Sequence, residues 1–245
     1  MKKIGLIGGI GPESTVDYYR RLIWLYQNEV DAAGYPELLL YSIDMTAMLK
    51  KVADRDWDGL TAMLSDAVET LCRAGAELGF LASNTPHMVF DRVREVSRIP
   101  LVSIVESAAE AASSLGLRKV GLLGTLFTMR SSYYQTEFEK HGIAVAVPDA
   151  SEQAYIQEKL FSEIEQGMFL DETRAGLLEI ISRLKRDEAA EGIVLGCTEL
   201  PLILTESAFG IPFLNTTELH VRAVFDRCKA LGFYNRSSSP SGVTE

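Results

Sequence analysis

The sequence predicts an α/β protein of two pseudo-symmetric lobes, each a parallel sheet flanked by helices, with a ligand site between the lobes. Short apolar runs alternate with longer amphipathic stretches, which is βαβα order. The apolar runs suit strands that are buried on both faces, as in parallel sheets covered by helices. The chain also repeats itself: KKIGLIGG at Lys2–Gly9 recurs as RKVGLLGT at Arg118–Thr125, and LASNT at 81–85 recurs as LGCTE at 195–199.

Each predicted element follows from these patterns in chain order. In the first half the β-rich runs KKIGLIG, ELLLYSID, LGFLAS and PLVSIV are each followed by a helical pattern, over Ser14–Ala32, Trp57–Ala74, Met88–Ser97 and Glu106–Leu115. The second half restarts with RKVGLLGT and continues through a helix at Ser131–His141, the run AVAVP, two helical stretches between Ser151 and Ala190, EGIVLGC and a closing helix at Glu218–Leu231.

The repeat also predicts how the chain divides. We expect residues 1–100 to form the first lobe, joined by residues 212–236, and residues 101–211 to form the second. The last residues, 237–245, read SSSPSGVTE and are expected to be a flexible tail without a role in chemistry.

Composition excludes several classes of function. The formal charge of −10 on 245 residues, with scattered basic side chains, disfavours nucleic acid as a partner. The longest apolar runs are only strand-length, so no membrane segment is expected. Three cysteines without CxxC spacing suit a reducing compartment and no structural metal site. Because the N-terminal apolar run is broken by glycines, we expect a cytoplasmic protein and not a secreted one.

The turn GGIGPEST at 8–15 has three interpretations. It lacks the third glycine of a dinucleotide-binding motif, and Asp44, the possible ribose ligand, lies too far along the chain. It can instead be a tight turn that starts a helix, with Pro12 at the first position and Glu13 at the positive end of the helix dipole. Its backbone N–H groups could also bind a small carboxylate.

Cys197 is the strongest single candidate for a reactive residue, because it follows the buried strand EGIVLG, where a reactive group would meet a ligand. A following helix N-terminus would lower the pKa of this thiol and provide thiolate near neutral pH. The alternative is a small core residue. Cys72 and Cys228 lie within helical patterns and are expected to have no chemical role.

The equivalent turn of the first lobe reads Ser83-Asn84-Thr85-Pro86-His87. It has neither a nearby acid nor a GxSxG motif, which disfavours a serine hydrolase. His87 is expected to be a supporting residue, with catalytic base as the minority interpretation. His141 and His220 lie in helical stretches expected to be solvated, and no two histidines have metal-ligand spacing.

Taken together, GLIGGIGPEST, LASNTPH, GLLGTLFTMRSSYYQ and VLGCTELP resemble the aspartate/glutamate racemase family of cofactor-independent enzymes over nearly the full chain. The resemblance implies that substrate lies between two catalytic residues, here Cys197 and, where the family has a cysteine, Ser83. It also implies that Glu199 supports the thiol, that no cofactor is needed, and that the substrate carboxylate meets donors at Asn84, Thr85, Thr198 and the backbone near Ile10, with Thr125 and Thr128 as additions.

Ser83 makes the implied site asymmetric, because an alcohol is a far weaker acid than a thiol. We expect Cys197 to abstract the α-proton of one enantiomer while Ser83, directly or through water, reprotonates the other face. Two alternatives remain: a single-cysteine decarboxylase or isomerase of the same superfamily, and an inactive amino-acid-binding protein.

The expected substrate is aspartate or glutamate, and relatives of this family are often homodimers. A distal carboxylate needs a cation, and the segments concerned offer Lys50, Lys51, Arg55 and Lys159, each of which could equally be a solvated surface charge.

Overall fold

Two four-stranded parallel sheets organise the protein, whose computed structural model describes residues 2–30 and 35–234. The first sheet has the order β2-β1-β3-β4 and comprises β1 Lys3–Gly8, β2 Glu37–Ser42, β3 Ala76–Leu81 and β4 Leu101–Val102. The second has the corresponding order β6-β5-β7-β8 and comprises β5 Lys119–Leu123, β6 Ala144–Ala146, β7 Gly192–Leu195 and β8 Phe213–Asn215. The predicted α/β fold of two similar lobes is confirmed.

Helices cover the sheets. In the first half of the chain they are α1 Pro12–Glu29, α2 Met45–Ala53, α3 Trp57–Arg73, α4 Phe90–Val96 and α5 Ile104–Ser114. In the second half they are α6 Leu126–Arg130, α7 Tyr133–Lys140, α8 Ala150–Ser162, α9 Asp171–Glu188, α10 Leu200–Ile203 and α11 Thr216–Ala230. Two short 3-10 helices, Thr85–Val89 and Ile164–Gln166, lie beside the strand ends.

Local sequence explains most helix starts. Asp44, Asp56 and Ser103 each accept hydrogen bonds from backbone N–H groups of the first turn of α2, α3 and α5. Asp149 does the same for α8, where Glu152 completes a capping box. The cap at Ser103 also explains why β4 ends at Val102, although the run PLVSIV predicted a longer strand.

Three further points concern individual elements. Helix α2 was not predicted, although Met45, Met48, Leu49 and Val52 form an apolar stripe at helical spacing. The helix expected at Ser131–His141 is confirmed as α7, and a short helix that was not predicted, α6, precedes it. The edge strand β2 is not buried on both faces, since Leu40 is 57% exposed. The predicted end of the first helix at Ala32 lies outside the described residues.

The strands of the two sheets do not divide at the boundaries expected for the two lobes, and one strand differs at each boundary. β4 pairs with β3 and lies in the first sheet, although residue 101 was expected to begin the second lobe. β8 pairs with β7 in the second sheet, although 212–236 was expected to join the first lobe. Helix α11, by contrast, packs Val224 and Phe225 against the first-lobe core. The expected tail, 237–245, and residues 235 and 236 lie outside the described residues.

Candidate active site

A cavity of about 660 Å³ lies where the carboxyl ends of strands from both sheets meet. Open α/β sheets bind ligands at this edge, because the turns there carry polar side chains and helix starts. The structure brings all nine predicted site residues to the cavity: Ile10, Ser83, Asn84, Thr85, Thr125, Thr128, Cys197, Thr198 and Glu199. The first four come from the first lobe and the other five from the second.

Cys197 follows β7 and is 8% exposed. Its Sγ–H donates a hydrogen bond of 3.0 Å to Glu199 Oε2. Burial and the charge of Glu199 raise the pKa of this thiol well above its ordinary value. The expected lowering of the pKa is therefore wrong: α10 has only four residues and offers a weak dipole, whereas the carboxylate is in direct contact.

Glu199 connects the two faces of the cavity. The hydroxyl of Thr198 donates to the same Oε2 atom at 2.8 Å, so this oxygen accepts two hydrogen bonds. The other oxygen, Oε1, points towards the first lobe: a β-carbon added at Gly11 would lie 3.9 Å from it. The Glu199 carboxylate thus contacts the thiol directly, and its support of Cys197 stays a prediction. Because the hydroxyl proton of Thr198 is already donated to Glu199, it is not free for the substrate carboxylate that the resemblance implied for it.

Ser83 follows β3, on the opposite lobe, and its backbone carbonyl accepts a hydrogen bond of 2.8 Å from Nδ1 of His87. Nε2 of His87 accepts the backbone N–H of Ile104 at 3.2 Å. Because an amide N–H can only donate, Nε2 is unprotonated and Nδ1 carries the hydrogen. Burial, together with His220, lowers the pKa of His87 to about 3. His87 therefore holds the Ser83 turn in place, and both its ring nitrogens are occupied.

Asn84 is fixed by side chains of the second half of the chain. Tyr134 donates its hydroxyl to Oδ1 of Asn84 at 2.6 Å, and Nδ2 donates to Oγ1 of Thr216 at 3.4 Å. Thr216 in turn donates to the carbonyl of Leu195, at the end of β7. These contacts define which end of the Asn84 amide is the donor. They leave it one N–H for a ligand.

Thr125 and Thr128 stand after β5. Thr125 caps α6, and the two hydroxyl oxygens are 3.2 Å apart. Tyr133 donates to Thr128 at 3.3 Å, and burial raises its pKa above the ordinary value. Thr85 begins the 3-10 helix after Ser83, and Ile10, at 3% exposure, lies in the turn after β1.

Sequence reasoning missed three supporting residues, Tyr133, Tyr134 and Thr216. The tyrosine pair stands in the quoted stretch GLLGTLFTMRSSYYQ, but no local pattern indicates that it faces the other lobe. His220 is a correction. It is fully buried and bonds Tyr18 and the carbonyl of Val102, so it is not solvated.

The turn at 8–15 is a tight helix-starting turn. Gly9 has φ +82° and donates its N–H to Thr15 Oγ1 at 2.9 Å. The hydroxyl of Thr15 donates to Gly11 at 2.8 Å, and Pro12 begins α1. Asp44 accepts the N–H groups of α2 and is thereby occupied as a cap. These contacts favour the structural interpretation over a dinucleotide site.

None of the four cations considered for a distal carboxylate lines the cavity. Lys50 pairs with Asp54 at 2.7 Å and Lys51 with Asp56 at 3.0 Å. Lys159 pairs with Glu163 at 2.6 Å. Arg55 occupies a left-handed turn with φ +55° after α2. The residues that do line the cavity include a carboxylate that sequence reasoning missed, Glu165.

Within 2–30 and 35–234, no group of three or more His, Cys, Asp or Glu side chains is arranged to hold a metal ion. No helix in these same ranges combines the length and the apolar character needed to cross a bilayer.

The chain is similar in sequence and in fold to known proteins. A model of the Asp/Glu/hydantoin racemase family matches residues 7–224. The fold superposes on a Yersinia pestis protein solved as a candidate Asp/Glu racemase (TM-score 0.86, 32% identity, 94% of this chain and 100% of that one). It also superposes on an aspartate racemase homologue from Pyrococcus horikoshii (TM-score 0.83, 36% identity, the same coverage). The broad specificity amino-acid racemase RacX of Bacillus subtilis is 26% identical over 223 residues, 87% of this chain and 92% of RacX. The predicted resemblance is confirmed, and the chain belongs to the Asp/Glu/hydantoin racemase family.

Proposed function

We propose that this protein is an amino-acid racemase that inverts the α-carbon by removing a proton on one face and returning one on the other. The observation that carries the proposal is the Cys197–Glu199 hydrogen bond on one wall of a cavity that has Ser83 on a wall from the other lobe. Family membership and the names of its relatives support the same reaction. No cofactor is assigned a step.

The raised pKa of Cys197 means that the resting thiol is protonated. To act as a base, Cys197 passes its proton to the Glu199 carboxylate, and the thiolate then takes the α-proton. The electron pair of the broken C–H bond is delocalised into the substrate carboxylate. Hydrogen bonds to that carboxylate stabilise the carbanion, and loss of one such donor typically costs about 10²- to 10³-fold in rate.

Asn84 is suited to this role because Tyr134 and Thr216 have already fixed its orientation. A donor that is held before the reaction needs no reorganisation when charge develops. Thr85, Thr125 and Thr128 are the further hydroxyl donors, and the backbone near Ile10 faces the same space.

Return of the proton on the opposite face is assigned to Ser83, directly or through a water molecule. The alkoxide or hydroxide that this leaves takes a proton from solvent, while Glu199 and Cys197 together release the one they gained. Protons therefore balance over the cycle. Serine can donate to a strongly basic carbanion but is a poor acceptor, so the two enantiomers should exchange their α-hydrogens with solvent at unequal rates. Because enantiomers have equal free energies in water, kcat/KM for racemisation itself is the same in both directions.

A racemisation assay over acidic, neutral and cationic amino acids tests the proposal on the unmodified protein, Ser83→Cys and Cys197→Ala. We expect racemisation by the first two and none by the third. Activity that survives Cys197→Ala contradicts the assignment. Release of CO₂ from a disubstituted malonate would favour the decarboxylase alternative, and calorimetric binding without isotope exchange, even in Ser83→Cys, would favour a binding protein.

A further inference from the structure

The groups assigned to the α-carbon do not determine which side chain the cavity accepts. That depends on the rest of the lining, which is apolar on both sides. Helix α2 contributes Met45, Met48 and Leu49, and the second lobe contributes Phe161, Phe169 and Leu202. Met48 is buried, whereas the other five side chains are 39–50% exposed in the open cavity. These walls suit the methylene groups of a long side chain.

The charges of the lining all have one sign. Glu13, Glu165 and Glu199 line the cavity, and its described lining contains no Lys, Arg or His. A substrate with a second carboxylate would bring it among three acidic side chains without a cationic partner. Placing a carboxylate in such surroundings is unfavourable, because lost hydration is not replaced by an ion pair. The lining therefore disfavours aspartate and glutamate.

The three carboxylates differ in what they already hold. Glu199 accepts hydrogen bonds from Cys197 and Thr198. Glu13 lies in the first turn of α1, where the helix dipole stabilises a negative charge. Glu165 has no ion-pair partner among the described residues, although Glu163, two residues earlier, is paired with Lys159 and bonded by Thr173. Neither Glu13 nor Glu165 has an ion-pair partner among the described residues, but Glu165 lacks the helix start that already stabilises the charge of Glu13, so we take Glu165 as the carboxylate with capacity for a cation.

The position of Glu165 is well supported. It lies in the 3-10 helix Ile164–Gln166, where Ile164 is 2% exposed and packs in the second-lobe core with Leu200 and Ile203. Partial burial and the charge of Glu199 raise the pKa of Glu165 to about 7. Both effects favour binding of a positive group, which would replace lost solvation and screen the neighbouring charge.

We propose that the cavity selects amino acids with a long cationic side chain, such as lysine, ornithine or arginine, and that Glu165 binds the distal cation. This proposal about the preferred side chain rests on the proposed racemase function, because its first test measures turnover. In this arrangement the α-carboxylate meets the neutral donors of the strand-end turns, the methylene groups lie between the apolar walls, and the terminal cation reaches Glu165.

The test measures racemisation and α-deuterium exchange with lysine, its neutral analogue norleucine, and glutamate. For the unmodified protein we expect kcat/KM to fall in that order, with lysine about 10- to 100-fold above norleucine, as for a hydrogen bond between charged groups. Glu165→Gln should lower kcat/KM for lysine by a similar factor and leave norleucine within about twofold. Glu165→Lys should reverse the order of lysine and glutamate.

Glu158→Gln is the matched control, because Glu158 is a well-exposed carboxylate of α8 that does not line the cavity. It should change neither substrate ranking nor folding. Glutamate as the best substrate of the unmodified protein, or an equal loss for lysine and norleucine in Glu165→Gln, would overturn the selection while leaving the racemase intact.

Calorimetric binding separates the two proposals. If no amino acid exchanges its α-proton in the unmodified protein or in Ser83→Cys, the racemase proposal fails, and the selection is then judged by affinity alone. Lysine should still bind more tightly than norleucine and glutamate, and Glu165→Gln should remove the difference. Equal affinities for all three would end the selection proposal.

Discussion

The two strand-end turns that face each other across the cavity are built alike but stabilised differently. The turn after β7 places Cys197 against the Glu199 carboxylate. The turn after β3 places Ser83 and Asn84 among neutral groups: the His87 ring, the Tyr134 hydroxyl and Thr216. The second-lobe turn therefore has a carboxylate beside its thiol, whereas the first-lobe turn is held by hydrogen bonds between neutral groups. The fold repeats, but the charged surroundings of the two turns do not.

The largest expected effect is at the sulfur. Cys197→Ala should lower α-proton exchange by at least about 10³-fold, because general acid–base groups contribute about 10²- to 10⁴-fold and nothing nearby replaces the thiol. Deuterium exchange followed by NMR measures this loss. Cys72→Ala is the control, since Cys72 lies on α3 outside the cavity and should keep full exchange. Comparable losses in both variants would contradict a special role for the second-lobe turn.

Glu199→Gln should lower turnover by about 10²-fold, because the thiol loses its proton acceptor. The same variant should react faster with iodoacetamide near neutral pH, because burial still raises the thiol pKa but the contribution of the carboxylate is gone. Turnover and alkylation thus move in opposite directions. A parallel fall of both rates would indicate that Glu199 only maintains local structure.

Ser83→Cys makes the two turns chemically more alike. We expect racemisation to accelerate by about 10- to 100-fold, because a thiol accepts and donates protons near neutral pH more readily than an alcohol. Enantiomers have equal free energies, so kcat/KM rises equally in both directions, and the difference between the turns is measured as α-deuteration of each enantiomer by NMR. Equal acceleration of deuteration for both enantiomers would argue against Ser83 as the weaker partner.

Tyr134→Phe keeps the buried ring and removes the hydrogen bond to Asn84. Its expected effect is a fall in kcat of about tenfold, with a smaller change in KM, because the amide is no longer held for the developing charge. The free energy of unfolding should fall by about 1 kcal/mol. If Phe at this position changes stability but leaves kcat unaffected, Tyr134 does not position Asn84 for the reaction.

The smallest effect concerns stability and pH. Burial lowers the pKa of His87 to about 3 and of His220 to about 4, from 6.5 in both cases. The unfolded chain therefore binds more protons below pH 6.5, and stability falls as the pH falls towards the folded-state values. Each histidine should contribute about 1 kcal/mol per pH unit in this window. The free energy of unfolding, measured in urea at several pH values, should depend less steeply on pH in His220→Gln. An unchanged slope would contradict a His220 that is neutral in the folded protein.

The parts of the site that sequence predicted are those encoded locally. Ser83 and Cys197 each follow an apolar run directly, so the repeat and the parallel-sheet pattern place both at the same edge. Tyr134 and Thr216 both bond to Asn84, which lies in the other lobe from Tyr134 and more than a hundred positions from Thr216. No periodicity in the sequence indicates such contacts. The raised thiol pKa also depends on burial, which is a property of the folded molecule. Glu165 shows the same limit, since a lone acidic residue in sequence is indistinguishable from a surface charge.

The asymmetry between the two turns can be measured most directly by incubating each enantiomer of the best substrate separately in D₂O and following α-deuteration. We expect clearly unequal rates of α-deuteration, with the faster enantiomer presenting its α-hydrogen to Cys197 and with Ser83→Cys bringing the two rates together. Equal deuteration of both enantiomers by the unmodified protein, or deuteration of neither, would contradict it.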